Sequence, residues 1–236
     1  MRHESFQGGS ATDELSINEA LWDGLWSDMW EGAELPQIKV HPFIVRMLPA
    51  LPPAGQLLEI GCGPGTNVLA LSTQFDCVGV DVSHTGCLKG LAMARRRGDT
   101  VAFSQGAFQN LPIGPSSCDV VLASLCLQFN TWSSAVDSWR EIGRVLRAGG
   151  VFLFKVRSTY RDIPDDVEFL DDRGVTFRSH YSDEAGMVYH HFTKAELREL
   201  SQAGGFRMTE LFEERDQREG VPYGRRGWWV GAWTKR

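Results

Sequence analysis

The chain has 236 residues, 42% of them hydrophobic, and a formal charge of −6. That length suits one domain with a small cap, and the apolar fraction suffices for a sizeable core. The acidic balance disfavours general affinity for nucleic acid or anionic membrane, and five cysteines without a C-x-x-C pair argue against a disulfide framework or a zinc site.

Residues 1–13 are polar and small, and disorder is expected there. The spacing turns helical from Leu15 to Glu34, with Trp22, Trp26 and Trp30 recurring every fourth residue. Such a stripe docks a helix on a core or caps a cleft with an indole, and both readings stand. A second helix is expected over 38–50, between Pro36 and Pro49. The chain therefore divides into a helical lid over 14–50 and a main domain over 51–236. No apolar h-region opens the chain and no run approaches membrane-spanning length, so a cytoplasmic protein is expected.

Strands are predicted at 56–60, 76–81, about 101–104, 119–124 and 151–156. Helices fall between them at about 65–74, 83–97 and 133–146. Ser83 reads as an N-cap, and Ala148-Gly149-Gly150 as a C-cap turn. This alternation implies a doubly wound, mostly parallel α/β sheet with helices on both faces. The pattern breaks over 157–190, which reads as a lid insertion without clear period. Thr193 and Glu196 then form a capping box, and Phe206–Glu213 with Trp228–Thr234 read as a C-terminal antiparallel hairpin. Trp229 and Trp233 share a parity opposite to that of Trp228.

The run Leu57-Leu58-Glu59-Ile60-Gly61-Cys62-Gly63-Pro64-Gly65 joins a strand to a helix, and the next strand ends at Asp81. Glycines let a backbone approach a ligand closely, and a carboxylate at a strand tip can accept from both ribose hydroxyls. The spacing is not the G-x-G-x-x-G of a dinucleotide site. This E-x-G-x-G-x-G pattern resembles the cofactor loop of class I (Rossmann-like) S-adenosylmethionine-dependent methyltransferases. Further similarities lie in Leu111-Pro112-Ile113 before Cys118-Asp119-Val120-Val121, in Arg140–Gly150, and in His191-Phe192-Thr193 through Gly205-Phe206.

The resemblance implies a seven-stranded sheet whose last strand is antiparallel to the rest, and S-adenosyl-L-methionine as cofactor. It places Glu59, Gly61, Cys62, Gly63 and Gly65 along the methionine part and ribose. Asp81 would hold the ribose hydroxyls, Val82 would lie against the adenine, and Phe108 would offer a backbone N–H. Ala123 would close the site from the fourth strand. Ala107 stands where the family usually has an acid for the adenine amino group; Gln105, Gln109 or a backbone carbonyl would have to accept instead. Gln128, aligned where many relatives have histidine, would face cofactor or substrate with the Trp22, Trp26 and Trp30 lid.

A base would assist transfer to an O–H, N–H or carbon acid. His180, Tyr181, His190, His191 and Tyr160 are the candidates, all in or beside the insertion. No cluster has metal-ligand spacing. The function implied is methyl transfer to a small organic acceptor. The alternatives are a tRNA or protein methyltransferase, a non-catalytic cofactor binder and, last, a nicotinamide-dependent oxidoreductase.

Overall fold

The computed structural model describes residues 11–28, 38–181, 185–219 and 224–236, with side chains described from Asn18 onward. Trp30, Pro36, Gly220 and Pro222 lie outside the described residues.

Seven strands form one sheet in the order β3-β2-β1-β4-β5-β10-β9. They are β1 (Gln56–Ile60), β2 (Asp76–Asp81), β3 (Ala102–Gln105), β4 (Cys118–Ser124), β5 (Leu146–Arg157), β9 (Phe206–Gln217) and β10 (Arg225–Lys235). The first five run parallel, and β10 pairs antiparallel with both β5 and β9. The chain thus has the doubly wound sheet and antiparallel last strand that the alternation and the hairpin predict.

Period-2 alternation sorts the apolar strand residues onto two faces. Leu58, Val121, Phe152 and Phe154 share a core with Trp139, Ile142, Leu197, Phe206 and Trp233. Their neighbours Leu57, Val120 and Leu153 belong to a second core with Phe43, Leu69, Met93 and Val230. Helices α5 (Trp132–Val145) and α6 (Lys194–Ala203) cover the first face; α2 (Pro42–Met47), α3 (Thr66–Leu71) and α4 (His84–Arg97) cover the second. Trp229 and Trp233 are buried in the first core, while Trp228 lies under the Lys155 ammonium at 4.8 Å, as their parities require. Ser83 and Thr131 cap α4 and α5, and the Thr193–Glu196 capping box closes the start of α6.

Three local expectations are corrected. Helix α1 spans Ala11–Asp28, beginning before Leu15. Helix α5 ends at Leu146 in extended backbone, so Ala148-Gly149-Gly150 is no helix cap. It forms the irregular start of β5, where the pairing with β4 shifts register. The insertion is ordered into β6 (Val167–Phe169), β7 (Thr176–Ser179) and β8 (Val188–His190), a three-stranded antiparallel sheet. Its strands are too short to show a period in sequence.

Helices α5 and α6 meet closely at Gly143, where an added Cβ would sit 2.2 Å from the Gly204 carbonyl oxygen. Gly143→Ala is therefore expected to destabilise the fold by ~1–3 kcal/mol, as overpacking does. Denaturant unfolding checks this; an unchanged midpoint would show that the helices part freely.

Candidate active site

A cavity of about 580 Å³ opens beyond the carboxyl ends of the parallel strands. It lies where the order reverses between β1 and β4, the position at which open α/β sheets bind ligands. Its floor is the β1–α3 loop. Gly61 and Gly63 adopt φ of 61° and 50°, a region costly for residues with a Cβ. Space is closed to side chains as well: a Cβ would lie 2.3 Å from that of Cys126 at Gly61, and 2.5 Å from the Trp26 ring at Gly63.

Two buried carboxylates frame this floor. The Glu59 oxygens accept from Asn67 Nδ2 at 2.7 Å and from the Val68 amide at 3.0 Å. Burial nevertheless pushes the Glu59 carboxyl up to about 8. Asp81 Oδ2 accepts from the Gly63 amide at 2.7 Å and Oδ1 from the Ser83 amide at 2.8 Å. Burial raises this carboxyl too, against those bonds. Each Asp81 oxygen keeps lone-pair capacity beyond its backbone bond. The thiols of Cys62 and Cys126 also line the cavity, and burial holds both well above the usual thiol range, so they remain protonated.

The roof comes from two distant parts of the chain. Helix α1 is tied to α4 through Asp23, which accepts from the Ser83 hydroxyl and the Thr85 amide, and through Lys89, which donates to the Ser27 carbonyl at 3.1 Å. Trp22 and Trp26 stack at 6.0 Å, and Trp22 meets Phe129 edge-on at 5.0 Å. Phe177, Met187 and Tyr189 of the insertion join Leu21, Trp22, Leu25 and Phe129 in one apolar cluster. Trp22 and Trp26 thus both dock α1 and line the cavity.

Glu59, Gly61, Cys62, Gly63, Asp81, Val82, Ala107 and Phe108 come together along the cavity wall with Trp22 and Trp26. Three other residues grouped with them do not line it. Gly65 turns behind the loop, where a Cβ would press on Phe103, and Ala123 is buried within β4. The Gln128 side chain folds back to donate to the Leu125 carbonyl. Of the substitutes for the missing adenine acceptor, Gln109 lines the cavity, whereas Gln105 does not line it, and its Nε2 donates to Glu19 and to the Val82 carbonyl.

None of the five candidate bases lines the cavity. His180 is exposed, and Tyr181 is 62% exposed. Tyr160 donates to Gln217 at 3.1 Å beneath the Arg215 guanidinium. His190 is buried between Thr176, at 2.8 Å from Nδ1, and Glu196, at 3.4 Å from Nε2. This ties the small sheet to α6. His191 packs edge-on against Phe177, and burial lowers its imidazole to about 3, with the charges of Arg157 and His190 adding to the effect. The sequence reading passed over Asn18, Phe129, Asn130, Thr131, Ser134 and Asp137, which do line the cavity. Phe129, Asn130 and Thr131 lie in the β4–α5 loop, where the rule that ligands sit beyond strand carboxyl ends finds them, while Ser134 and Asp137 lie on α5 and Asn18 on α1.

Sheet order, glycine loop and strand-tip acid define a class I α/β fold of the methyltransferase kind. Residues 58–154 match the family model described as methyltransferase domain. A fatty-acid O-methyltransferase of Mycolicibacterium smegmatis is 29% identical over 52% of this chain and 47% of its own length. A 27-O-demethylrifamycin SV methyltransferase of Amycolatopsis mediterranei is 30% identical over 56% of this chain and 49% of its own length. The matches thus span about half of these curated relatives. Among solved structures, the 1,6-didemethyltoxoflavin-N1-methyltransferase of Burkholderia thailandensis superposes with a TM-score of 0.65 at 20% identity, covering 99% of this chain and 94% of that one. A SAM-dependent methyltransferase of Methanosarcina mazei gives a TM-score of 0.64 at 18% identity, over 84% of this chain and 99% of that one. Over residues 58–154 the chain is thus similar to the methyltransferase-domain family, and its fold is that of solved S-adenosylmethionine-dependent methyltransferases.

Proposed function

We propose that the protein is an S-adenosylmethionine-dependent methyltransferase acting on a small organic acceptor. The observation that carries this reading is one cavity lined both by the glycine loop and Asp81 and by an aromatic, hydrogen-bonding chamber of Trp22, Phe129, Asn130 and Thr131 under the roof. The residues present fit the cofactor: Gly61, Gly63 and Pro64 of the loop line the cavity, and Asp81 keeps acceptor capacity for two hydroxyls. When bound, the cofactor supplies a methyl group already activated on a sulfonium. Glu59, Gly61 and Gly63 would hold its methionine part and ribose, and Val82, Phe108 and Gln109 its adenine. Trp22 and Trp26 exclude water and orient the acceptor, which is the main task left to the protein. Asp137, an exposed lining carboxylate paired with Arg140 at 3.1 Å, would take a proton from an acceptor O–H or N–H.

The relatives named above for fatty acids, a rifamycin and a toxoflavin precursor support a small-molecule acceptor over nucleic acid or protein. Among the described residues no helix is long and apolar enough to cross a membrane. Together with the buried free cysteines, this supports a cytoplasmic setting. Calorimetric titration with S-adenosylhomocysteine, alongside NADH and NADPH, tests the reading. Saturable binding of S-adenosylhomocysteine alone is the expected result. Binding of a dinucleotide alone, or of none of the three, overturns it.

A further inference from the structure

The acceptor end of the cavity has an uneven chemical lining. Asn18, Gln109, Asn110 and Asn130 contribute amides, Thr131 and Ser134 hydroxyls, and Trp22 with Phe129 aromatic surface. These polar groups are neutral, and several are already fixed. Gln109 donates to Asn130 at 3.0 Å, Asn130 donates to the Leu127 carbonyl at 3.2 Å, and Thr131 caps α5 through the Ser134 amide. The ionisable side chains of the whole cavity wall are Glu59, Asp81, Asp137 and the two thiols; no lysine, arginine or histidine lines it among the described residues. Outside those residues, the sequence holds one arginine and one histidine, Arg2 and His3, and no lysine.

Three conclusions follow on charge and shape. A carboxylate acceptor entering this chamber would find neutral amides and hydroxyls and one side-chain acid, Asp137, whose own cation Arg140 lies outside the lining. Among the described residues no lining cation pairs with it, and an unpaired buried charge is strongly disfavoured. A cationic acceptor would sit beside the sulfonium the cofactor brings. The Trp22 and Phe129 rings, 5.0 Å apart and inclined at 78°, form an apolar corner against which a flat ring packs by face and edge. The neighbouring amides then meet its polar edge.

We propose that the methyl acceptor is a planar, uncharged small molecule seated against Trp22 and Phe129, and that this chamber rejects carboxylates. The proposal rests on the methyltransferase reading and sets the chain apart from a relative named for fatty acids.

The test uses three probes titrated by calorimetry into the full chain saturated with S-adenosylhomocysteine. 2-Naphthol and 2-naphthoate share one ring system and differ in charge, and laurate is an aliphatic carboxylate. The naphthol is expected to bind at least ~10-fold tighter than either carboxylate, since like-charge juxtaposition discriminates by several kcal/mol. Asp137→Lys, an exposed change at the rim, is expected to narrow that gap by raising naphthoate affinity. Trp22→Ala is expected to weaken naphthol binding at least ~10-fold, since such an anchor carries much of the binding. Carboxylate binding equal to that of the naphthol, or no binding by any probe, overturns the proposal while leaving the cofactor reading intact. Failure of S-adenosylhomocysteine itself to bind removes the methyltransferase reading and this inference with it.

Discussion

Asp81→Ala is expected to lower affinity for S-adenosylhomocysteine by ~100-fold or more, the largest effect of any single change in the site. The Asp81 carboxylate is buried, and each oxygen already takes one backbone N–H, from Gly63 and from Ser83. Two ribose hydroxyls would bring two charge-assisted bonds, each worth ~1.5–3 kcal/mol, which together account for a loss of that size. The variant also strips the Gly63 amide of its acceptor, so the floor of the site loosens as its ligand contacts disappear. Ala107→Asp serves as the contrast. It adds at most one hydrogen bond, and its effect should stay within ~10-fold, from a net bond of ~0.5–1.5 kcal/mol. Calorimetry on both variants, with circular dichroism to confirm folding, decides the matter. Equal affinity in wild type and Asp81→Ala would remove the ribose assignment.

Cofactor binding at neutral pH is expected to release close to one proton from Glu59. In the ligand-free chain, burial holds this carboxyl at about 8, against an ordinary value of 4.5. It is therefore mostly protonated at neutral pH, despite the bonds from Asn67 and Val68. A ligand ammonium beside it favours the carboxylate, so binding expels the proton. Between about pH 6 and about pH 7.5 affinity should rise with pH, toward a limit of ~10-fold per pH unit. Stability runs the other way. A carboxyl raised in the folded state stabilises fully below the unfolded value, and that contribution is lost as pH climbs through about 8. The ligand-free chain should thus lose on the order of a few kcal/mol between the unfolded and folded values, at ~1.4 kcal/mol for each pH unit. Glu59→Gln should show neither proton release nor the pH slope. Calorimetry in buffers of different ionisation enthalpy measures the proton directly; equal release from wild type and Glu59→Gln would assign it elsewhere.

The frame and the glycine-loop wall of the cavity were legible in sequence because their causes are local. A strand that must be buried on both faces reads as an apolar run, a loop that must admit a ligand reads as glycine, and a carboxylate at a strand tip reads as Asp81. The lid failed to read in the same way. Its strands have three or four residues each. What holds them is packing across the chain, with Tyr189 on Phe129 at 5.0 Å and Phe177 stacked on Tyr189 at 5.4 Å. Histidine and tyrosine in such a segment look catalytic by residue type alone. In the structure His190 bonds Thr176 and lies 3.4 Å from Glu196, and burial of Glu196 is outweighed by the neighbouring His190 and the Thr193 bonds, which hold its carboxyl at about 2. Conversely Asp137 drew no notice, because a polar residue on an amphipathic helix looks like ordinary solvated surface.

The apolar cluster of the roof is separate from the two that flank the main sheet. A change of size or shape at Trp22, Phe129 or Phe177 therefore leaves the load on Trp139, Phe152 and Leu57 untouched. The roof and the main sheet are packed by different sets of side chains in one small chain. This makes the roof cluster an exchangeable part: the side chains at Trp22, Phe129 and Phe177 can be redesigned around a new occupant, provided that Trp26 and Asp23 of α1 keep their contacts with Gly63 and Ser83.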